Sequence, residues 1–397
     1  MKAGWKTVKL GDIALVGAGN SAPQDDADFS TDGSYFVRTS DVGEVKFGTV
    51  NSSNDRLSSN GAKGMRLWKA GTILVPKSGA STFVNHRVIL GVDAHVSSHL
   101  ATIQAEPTRC DARYLLYYLS TVKAQDLIQD QSYPSLKLPE IAGIEIPLPP
   151  LAEQKRIVAL LDEAFAGLDE AKAKVEANHR DSEGLYKSYL QSVFKEGGRK
   201  WLEVKLDEVC EFQNGFAFKS NTFRPSGTPV IRISNIQDGI IDTENRLVFV
   251  DPKDYRENLD RYRVAKGDLL IAMSGATTGK IGFNTTAAEF YLNQRVGKFQ
   301  PGKSLNKQFL YHFLSTKVEE NLSISAGAAQ PNLSTEQIKG FVLPLPPIEE
   351  QASVVVLMET LLAETRQLAS LCQGKQVALA ALKNSFLAQA FAGELTA

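Results

Sequence analysis

Cysteine and long apolar runs are scarce in this sequence of 397 residues. Cys110, Cys210 and Cys372 are far apart and odd in number, so we expect neither a disulfide framework nor a C-x-x-C metal site. The first residues lack the apolar region of a signal peptide, and no stretch approaches the ~20 apolar residues that cross a bilayer. These scarcities predict a cytoplasmic protein that does not span a membrane.

An excess of charge of either sign is also missing. The chain has 44 Lys and Arg against 45 Asp and Glu, a net charge of −1. This balance argues against a polycation that coats nucleic acid nonspecifically. It does not exclude sequence-specific binding, because only the face that contacts phosphate must be basic.

Motifs that bind cofactors or perform catalysis are missing as well. Residues 275–281 resemble a P-loop but are one residue short and lack a Ser or Thr after Lys280. Gly17 and Gly19 form only a partial dinucleotide-binding motif, and the five histidines show no metal-ligand spacing. The Asn/Asp-Pro-Pro-aromatic motif of adenine methyltransferases does not occur. We therefore expect no catalytic residue, no metal and no cofactor.

What the sequence does contain is an internal repeat, the feature to seek first in any chain. Five segments recur in the same order in the two halves, and the match is sharpest where P-L-P-P-L-A-E-Q recurs as P-L-P-P-I-E-E-Q. The paired segments are 5–13 and 201–209, 36–41 and 230–235, 71–79 and 267–275, 114–121 and 309–316, and 147–154 and 344–351. Five echoes in order indicate a tandem duplication that fills the chain.

Each half combines short strand-like runs, Gly/Ser/Asn loops and one helix, which predicts a mixed α/β (α+β) domain. Pro-Leu-Pro-Pro then ends the regular structure, and a long segment without proline follows. We therefore divide the chain into two globular domains, each followed by a long helix, with boundaries at 1–149, 150–199, 200–346 and 347–397.

Apolar residues in the two long segments alternate in steps of four and three, which is typical of a heptad seam. Two separate amphipathic helices, each packed on its own domain, are the alternative. The seam positions are Ile157, Leu161, Ala164, Leu168, Ala171, Val175, Leu185 and Tyr189 in the first segment, and Val354, Met358, Leu361, Leu368, Cys372, Leu379, Leu382 and Phe386 in the second.

Chain connectivity decides how two such helices would pair. A helix of roughly 45 residues is about 65–70 Å long. Parallel helices would separate the two ends of the second domain by that full length, which a compact domain of this size cannot span. Antiparallel pairing places both ends together, so we predict a two-helix antiparallel coiled coil between two heads, a dumbbell with a pseudo-two-fold axis.

Two similar heads at a set separation suit duplex DNA, because equivalent groove faces recur every ~34–36 Å along the duplex. The two heads share a frame, but residues 76–87 bear little relation to residues 272–283 beyond the first few positions. Heads with different loops would read different half-sites. The target predicted in this way is bipartite and asymmetric.

These features together resemble the specificity subunit of type I restriction–modification systems. The matching features are the W-x-x-V-x-L opening of each half, the core strand followed by Ser-Gly, the P-L-P-P-[LI]-x-E-Q hinge and the long helix after it. The resemblance covers the whole chain. It implies two target-recognition domains, helices that set their spacing and dock two DNA adenine methyltransferase subunits, and restriction–translocase subunits added outside. It also implies that the chain itself performs no chemistry.

Several polar side chains are candidates for DNA contact. An arginine and short polar residues follow a strand in both halves, and such groups suit phosphates or base edges. A capped strand end with an arginine salt bridge explains them equally well. These residues are Arg38, Ser40 and Asp41, and Arg232, Ser234 and Asn235.

The loops that differ between the halves supply the remaining DNA-contact candidates. Residues 133–135 and 330–332 either contact backbone phosphates or only turn the chain. The loop candidates are Lys77, Ser78, Ser81, Thr82, Asn85, His86, Arg87, Ser98 and His99 in the first half, and Ser274, Thr277, Thr278, Lys280, Gln294 and Arg295 in the second.

Neither head is strongly basic: residues 1–150 carry 15 basic and 15 acidic side chains, and residues 200–347 carry 18 and 16. Either the positive charge is concentrated on one face, or partner subunits neutralise most phosphates. We expect weak, strongly salt-dependent DNA binding by the chain alone.

By the same resemblance, part of the helix surface would contact the methyltransferase subunits, although such charged positions are usually a solvated face. A scaffold whose two heads bind proteins, and an enzyme with an unrecognised site, are the competing hypotheses. The interface candidates are Glu153, Gln154, Val158, Leu160, Glu350, Gln351, Val355 and Leu357.

Overall fold

The structure is a computed structural model that describes residues 4–128, 134–197, 199–237, 239–325 and 332–395. The chain divides into two compact units. Unit 1 contains residues 1–175 and 374–397, and unit 2 contains residues 176–373. Among the described residues, no helix is both long and apolar enough to cross a membrane.

The strands of unit 1 form two sheets and a two-stranded ribbon. They are β1 (Lys6–Lys9), β2 (Ala14–Ala18), β3 (Phe29–Val37), β4 (Phe47–Val50), β5 (Asp55–Leu57), β6 (Ile73–Pro76), β7 (Arg87–Leu90), β8 (His95–Val96), β9 (Leu100–Ala105) and β10 (Glu145–Leu148). One sheet has the order β2-β9-β6-β7-β4, the other β5-β3-β8, and β1 pairs with β10.

Most helices of unit 1 pack on one face of the larger sheet, whereas Val42 of the second helix packs against Leu74 and Val88 on the other face. Asp111 caps the third helix by accepting from the Arg113 and Tyr114 amides, and this helix buries Tyr114 and Leu115 in a core shared with Ile103. The helices are α1 (Leu10–Ile13), α2 (Thr39–Val45), α3 (Ala112–Thr121), α4 (Leu138–Ala142) and α5 (Leu151–Gly197), which continues into unit 2.

Unit 2 repeats this architecture. Its sheets have the orders β12-β20-β17-β18-β14 and β15-β13-β19-β16, and β11 pairs with β21. Its strands are β11 (Leu202–Lys205), β12 (Cys210–Asn214), β13 (Thr228–Ile231), β14 (Gly239–Ile240), β15 (Val248–Val250), β16 (Arg263–Val264), β17 (Leu269–Ala272), β18 (Ile281–Phe283), β19 (Phe290–Leu292), β20 (Val296–Pro301) and β21 (Val342–Leu345).

The helices of unit 2 are α6 (Leu206–Val209), α7 (Lys307–Ser325), α8 (Thr335–Lys339) and α9 (Ile348–Ala392), which continues into unit 1. The duplication extends to register: Thr7 lies opposite Pro147 in the ribbon of unit 1, and Glu203 lies opposite Pro344 in that of unit 2. The prediction of two tandem mixed α/β domains with long helices is confirmed. The four predicted domain boundaries stay predictions.

Unit 1 holds the start of α5 and the end of α9, and these segments run in opposite directions. The Lys383 ammonium lies 4.7 Å from the ring centroid of Phe165, well inside α5. Further along α9, Phe391 packs edge-on against Tyr114, whose hydroxyl donates to the carbonyl of Pro147, just before α5 begins.

Unit 2 holds the end of α5 and the start of α9, and these segments are antiparallel too. Glu350, near the start of α9, accepts a hydrogen bond from the Trp201 indole just after α5 ends. One residue of α7, His312, contacts both Glu359 (3.0 Å) and the Tyr186 hydroxyl (3.2 Å), which lie further inside the two long helices.

The predicted heptad seam is correct in part. Ile157, Leu161 and Met358 are fully buried. Leu185 is instead 64% exposed, and its neighbour Tyr186 faces the core of unit 2. A straight helix of 3.6 residues per turn drifts by about 20° per heptad, so a strict seven-residue count from Ile157 is one residue out by this point. Leu368 and Leu382, also predicted seam positions, are exposed.

Candidate nucleic-acid interface

Three backbone segments meet beyond the end of the central sheet strand in each unit. In unit 1, the Lys77 amide donates to the carbonyl of His99 (2.9 Å), and the Leu136 amide donates to the carbonyl of Lys77 (2.8 Å). A second link joins the Ser97 amide to the carbonyl of Val37, at the end of β3 (2.9 Å). The strand end, the turn between β8 and β9 and the segment before α4 therefore form one frame.

The same frame occurs in unit 2. The Met273 amide donates to the carbonyl of Arg295 (2.9 Å), and the Leu333 amide donates to that of Met273 (2.7 Å). The Asn293 amide donates to the carbonyl of Ile231 (3.1 Å). The main-chain geometry is thus repeated, whereas most of the side chains attached to it differ.

Glycines at equivalent positions allow this close packing, and the sequence analysis did not single them out for this role. A Cβ atom on Gly19 would lie 2.0 Å from the carbonyl oxygen of Val96, and one on Gly215 would lie 2.2 Å from that of Asn293. Only glycine fits such an approach. The signal was available, because both glycines follow the second strand of their half.

The most accessible predicted side chains lie on this frame. In unit 1 His99 is exposed, and its Nδ1 lies 2.7 Å from the half-buried Ser78 hydroxyl. In unit 2 Gln294 and Arg295 are exposed. Ser40 is also exposed, whereas the other accessible candidates are half-buried: Lys77, Ser81, Ser98, Ser234, Thr277 and Lys280.

The acidic and amide residues after the strand ends have a structural role instead. Asp41 is buried and accepts from the amides of Arg38 (2.7 Å) and Asn54 (3.0 Å). In unit 2, Asn235 is fully buried and accepts from the Arg232 amide (3.0 Å). Backbone groups already occupy these two side chains, and their predicted DNA contact stays a prediction.

The two arginines at these strand ends also have partners inside the protein. The guanidinium of Arg38 pairs with Asp55, and that of Arg232 donates to the carbonyl of Arg246 (2.9 Å). The competing interpretation, a capped strand end with an arginine salt bridge, therefore describes the first unit closely.

Three further candidates of unit 1 are engaged in its interior. Arg87 is buried and donates to the carbonyls of His86 and Val122, and its burial lowers the pKa of the guanidinium to about 10. Thr82 is fully buried. Asn85 accepts from the Ala124 amide (2.7 Å). Arg87 and Thr82 are thus buried in unit 1, and their predicted DNA contact stays a prediction.

Unit 2 shows the same pattern at two positions. Thr278 is fully buried and donates to the carbonyl of Gly275 (2.7 Å), and Ser274 is buried as well. Both hydroxyls are buried in unit 2, and their predicted DNA contact stays a prediction.

One candidate histidine has a shifted pKa. Burial, with the nearby charges of Lys46 and Arg87, lowers the pKa of His86 below its ordinary value. Its imidazole is therefore neutral near neutral pH and offers a hydrogen bond rather than a charge.

The segments before α4 and α8 are described in part. Tyr133, Gln330 and Pro331 lie outside the described residues. Ser135 forms an isolated β-bridge with Ser78, and Asn332 forms the equivalent bridge with Ser274. These residues extend the frame in both units.

The hinge glutamine of unit 1, Gln154, is predicted to contact a partner subunit, but its side chain forms hydrogen bonds inside unit 1. Gln154 is fully buried; its Oε1 accepts from the Asp111 amide (2.8 Å), and its Nε2 donates to the carbonyls of Arg109 (3.0 Å) and Pro149 (2.9 Å). Val158 is also in the core. Both side chains are buried in unit 1, and their predicted contact with a partner stays a prediction.

The hinge glutamine of unit 2 makes equivalent contacts. The Oε1 of Gln351 accepts from the Asn306 amide (2.7 Å), and its Nε2 donates to the carbonyls of Ser304 (2.8 Å) and Pro346 (2.8 Å). Gln351 is fully buried, and its predicted partner contact likewise stays a prediction. Val355 packs partly against the core of unit 2.

The remaining interface candidates are accessible. Leu357 is 54% exposed, and its neighbour Val356 is 67% exposed. Glu350 is exposed, and Glu153 and Leu160 are half-buried. The described part of the chain contains no group of three or more His, Cys, Asp or Glu side chains that could hold a metal ion.

Known proteins share this sequence pattern. The family model of the type I restriction modification DNA specificity domain matches twice, at residues 2–177 and 198–371. The MjaVIII type I restriction enzyme specificity subunit of Methanocaldococcus jannaschii is 28% identical over 296 residues, 69% of each chain. The EcoBI specificity subunit of Escherichia coli is 30% identical over 200 residues, 49% of this chain and 40% of that protein.

Solved structures share the fold. A chain from a structure on complex assembly and conformational transition of the type I R–M system superposes with a TM-score of 0.82 at 20% identity, over 99% of both chains. The HsdS subunit from Thermoanaerobacter tengcongensis gives 0.62 at 19% identity, over 99% of this chain and 98% of that chain. With a family match in each half, the chain belongs to the type I restriction modification DNA specificity domain family.

Proposed function

We propose that this chain is the non-catalytic DNA-recognition subunit of a type I restriction–modification complex, and that each unit reads one half of a bipartite, asymmetric target. One observation carries the proposal. Both units build the same main-chain frame beyond the central strand, yet Ser98 and His99 on one frame correspond to Gln294 and Arg295 on the other. A repeated frame with different side chains suits two readers of different sequences.

The accessible side chains support a division of labour within each frame. His99 and Ser78 in unit 1, and Gln294 and Arg295 in unit 2, offer donors and acceptors at the surface. Asp41 and Asn235 are buried and hold the strand ends. We infer that the exposed group contacts DNA and that the buried group positions the backbone beneath it.

We also propose that the long helices bind two methyltransferase subunits. Leu160 on α5 in unit 1 would contact one of them, and the exposed apolar pair Val356 and Leu357 on α9 in unit 2 would contact the other. The buried glutamine of each unit would support its own surface from inside. Adenine methylation, and cleavage where restriction–translocase subunits are present, would take place in those partners.

The test is the pattern of adenine methylation across a genome when the chain is expressed with its methyltransferase subunit. We expect one bipartite sequence. Exchange of residues 20–130 for those of a relative should change only one half of it. Exchange of residues 216–326 is the matched control and should change only the other half.

Two results would refute the proposal. An exchange that changes both halves, or neither, would contradict separate reading by the two units. Methylation without sequence preference would favour the scaffold hypothesis, in which the heads bind proteins rather than DNA.

A further inference from the structure

The arginines of the first head differ in what surrounds them. Residues 1–150 contain six: Arg38, Arg56, Arg66, Arg87, Arg109 and Arg113. Three of them pair with a carboxylate, namely Asp55, Glu106 or Asp162. Another, Arg87, is buried. These four are therefore engaged within unit 1.

The last two arginines lie on aromatic rings. Arg56 stacks on Tyr35 at 4.3 Å from the ring centroid, donates to the hydroxyl of the same ring and is half-buried. Arg66 stacks on Trp68 at 3.8 Å and is exposed. Within the described part of the chain, Arg66 alone of the six has an exposed guanidinium whose only partner is a ring face.

The backbone of Arg66 is fixed next to the frame of unit 1. Its amide donates to the side chain of Asn20 (3.2 Å), and its carbonyl lies 3.1 Å from Nδ1 of the buried His95. The carbonyl of Asn20 in turn accepts from the Ser98 amide (2.8 Å). One residue thus links Arg66 to the turn that presents Ser98 and His99.

Local charge also favours an anionic or electron-rich ligand here. Residues 59–70 contain Lys63, Arg66 and Lys69 and no acidic residue. Lys69 is exposed but pairs with Asp93 (2.8 Å). In the described structure, Lys63 and Arg66 are the exposed positive charges of this loop that no carboxylate pairs with. In unit 2, the arginine next to the equivalent strand position, Arg263, pairs with Asp260 and Glu289.

We propose that Arg66 is a specificity-determining residue of unit 1 and that it reads a guanine in the half-site of that unit. Stacking on Trp68 holds the planar guanidinium in a fixed orientation and leaves its N–H donors free. Two donors in one plane match O6 and N7 of guanine in the major groove. The proposal rests on the proposed function, since it assigns a residue within the same DNA interface.

The experiment compares Arg66→Ala with the wild type, each expressed with the methyltransferase subunit. We expect the variant to lose discrimination by on the order of tenfold to a hundredfold at one base pair of one half-site, with the other half-site unchanged. Arg66 is exposed, so the variant should keep its folding transition. Lys63→Ala is the matched control: it removes a charge from the same loop and should leave the recognised sequence unchanged.

The outcomes separate the two claims. If Arg66→Ala weakens methylation of all sites equally and lowers only the salt dependence of DNA binding, Arg66 contacts phosphate and the assignment to a base is wrong. An unchanged half-site refutes the assignment as well and leaves the proposed function standing. A wild-type complex without sequence preference overturns the proposed function and, with it, this inference.

Discussion

Gln154 and Gln351 show how a surface-type residue becomes a structural one. Each uses its carbonyl oxygen as an acceptor and its amide nitrogen as a double donor, and each binds only main-chain groups. A buried polar group that is fully hydrogen-bonded costs little, whereas one that loses its partners costs about 1–3 kcal/mol. These two residues therefore anchor the long helices to their heads.

Gln154→Glu should destabilise unit 1 by about 3 kcal/mol, because a buried carboxylate cannot donate to the carbonyls of Arg109 and Pro149. Thermal unfolding and chemical denaturation measure the change, and Gln351→Glu should lower the stability of unit 2 similarly. Gln191→Glu, at an exposed position of α5, is the control and should change stability by less than about 0.5 kcal/mol. An equal loss of stability in Gln154→Glu and Gln191→Glu would contradict the anchoring role of Gln154.

Single residues were also where sequence reasoning was least complete. The motif after each strand end identified Asp41 and Asn235, but the same short polar side chains that bind DNA also cap strand and helix ends. Which role applies depends on whether the side chain points inward. That depends on tertiary packing, which one sequence does not reveal. The exposed position of His99, by contrast, could be predicted, because it lies where the side chains of the two halves differ.

At the scale of elements, the sequence predicted the two long helices, but it predicted only some of the residues that each helix buries. The Pro-Leu-Pro-Pro stop and the proline-free segment predicted helices over 150–199 and 347–397, and the structure has Leu151–Gly197 and Ile348–Ala392. The heptad count identified Leu161 correctly and missed at Leu185, since helix twist accumulates over several turns.

Leu161 and Leu185 make a matched pair for testing the seam. Leu161→Ala should cost about 2–4 kcal/mol, because the side chain is fully buried and its removal leaves a cavity. Leu185→Ala should cost less than about 0.5 kcal/mol, because that side chain already faces solvent. Denaturant unfolding of both variants gives the comparison. A similar loss at both positions would show that Leu185 is buried in solution.

The helix that follows the core strands is tied to the long helices differently in the two units. In unit 1, the Tyr117 hydroxyl donates to Asp162 of α5, and Arg113 pairs with the same carboxylate (2.8 Å). In unit 2, the fully buried His312 faces Glu359 of α9. Burial raises the pKa of Tyr117, whereas burial, opposed by Glu359 and reinforced by Arg366, lowers the pKa of His312.

The stability of unit 2 should therefore fall in acid. The unfolded chain binds a proton on His312 below about pH 6.5, whereas the folded chain resists it until the pH reaches the lower folded pKa. The stability that His312 contributes to unit 2 is complete above the pKa of this histidine in the unfolded chain. It is lost as the pH falls below that pKa. His312→Gln should shrink the difference in Tm between about pH 7.5 and about pH 5.5.

The control for this pH effect is the exposed His99, where His99→Gln should leave the pH dependence of Tm unchanged. The readout is Tm as a function of pH for the wild type and both variants. An unaltered pH dependence in His312→Gln would show that this histidine is not the group responsible.

The exposed apolar pair on α9 supports a prediction about assembly. Val356→Lys together with Leu357→Lys should roughly halve the amount of methyltransferase subunit that co-purifies, because one of two contacts is lost. Tm should stay nearly unchanged, because both side chains already face solvent. Val377→Lys is the control, since Val377 is exposed on the same helix within unit 1. Undiminished association of the double variant would place the contact elsewhere.

At the scale of the whole molecule, the charge balance has a structural explanation. Four of the six arginines of the first head are paired with a carboxylate or buried, namely Arg38, Arg87, Arg109 and Arg113. Of the two explanations left open by the charge count, neutralisation of most phosphates by partner subunits fits this better. Composition alone could not separate them, because pairing depends on the fold.

DNA binding by the isolated chain should therefore be weak. With few arginines of the first head left to contact phosphate, its dependence on salt should be shallower than the strong dependence expected from the sequence alone. The slope of log K against log salt is about −0.9 for each phosphate that is neutralised on duplex DNA. We expect the assembled complex to give a much steeper slope than the chain alone, measured by fluorescence anisotropy over a salt series. Equal slopes would show that the chain supplies most phosphate contacts itself.

The hinge glutamines have a consequence for how such a protein changes over time. Each glutamine hydrogen-bonds only to peptide groups, such as the amide of Asp111 or Asn306. The attachment of the long helix to the head therefore does not depend on which side chains the head carries. A head from another protein with the same backbone conformation could be joined at Pro-Leu-Pro-Pro with no change to the residues that form these hydrogen bonds. Recombination within the gene could therefore give a strain a new recognition sequence in a single step.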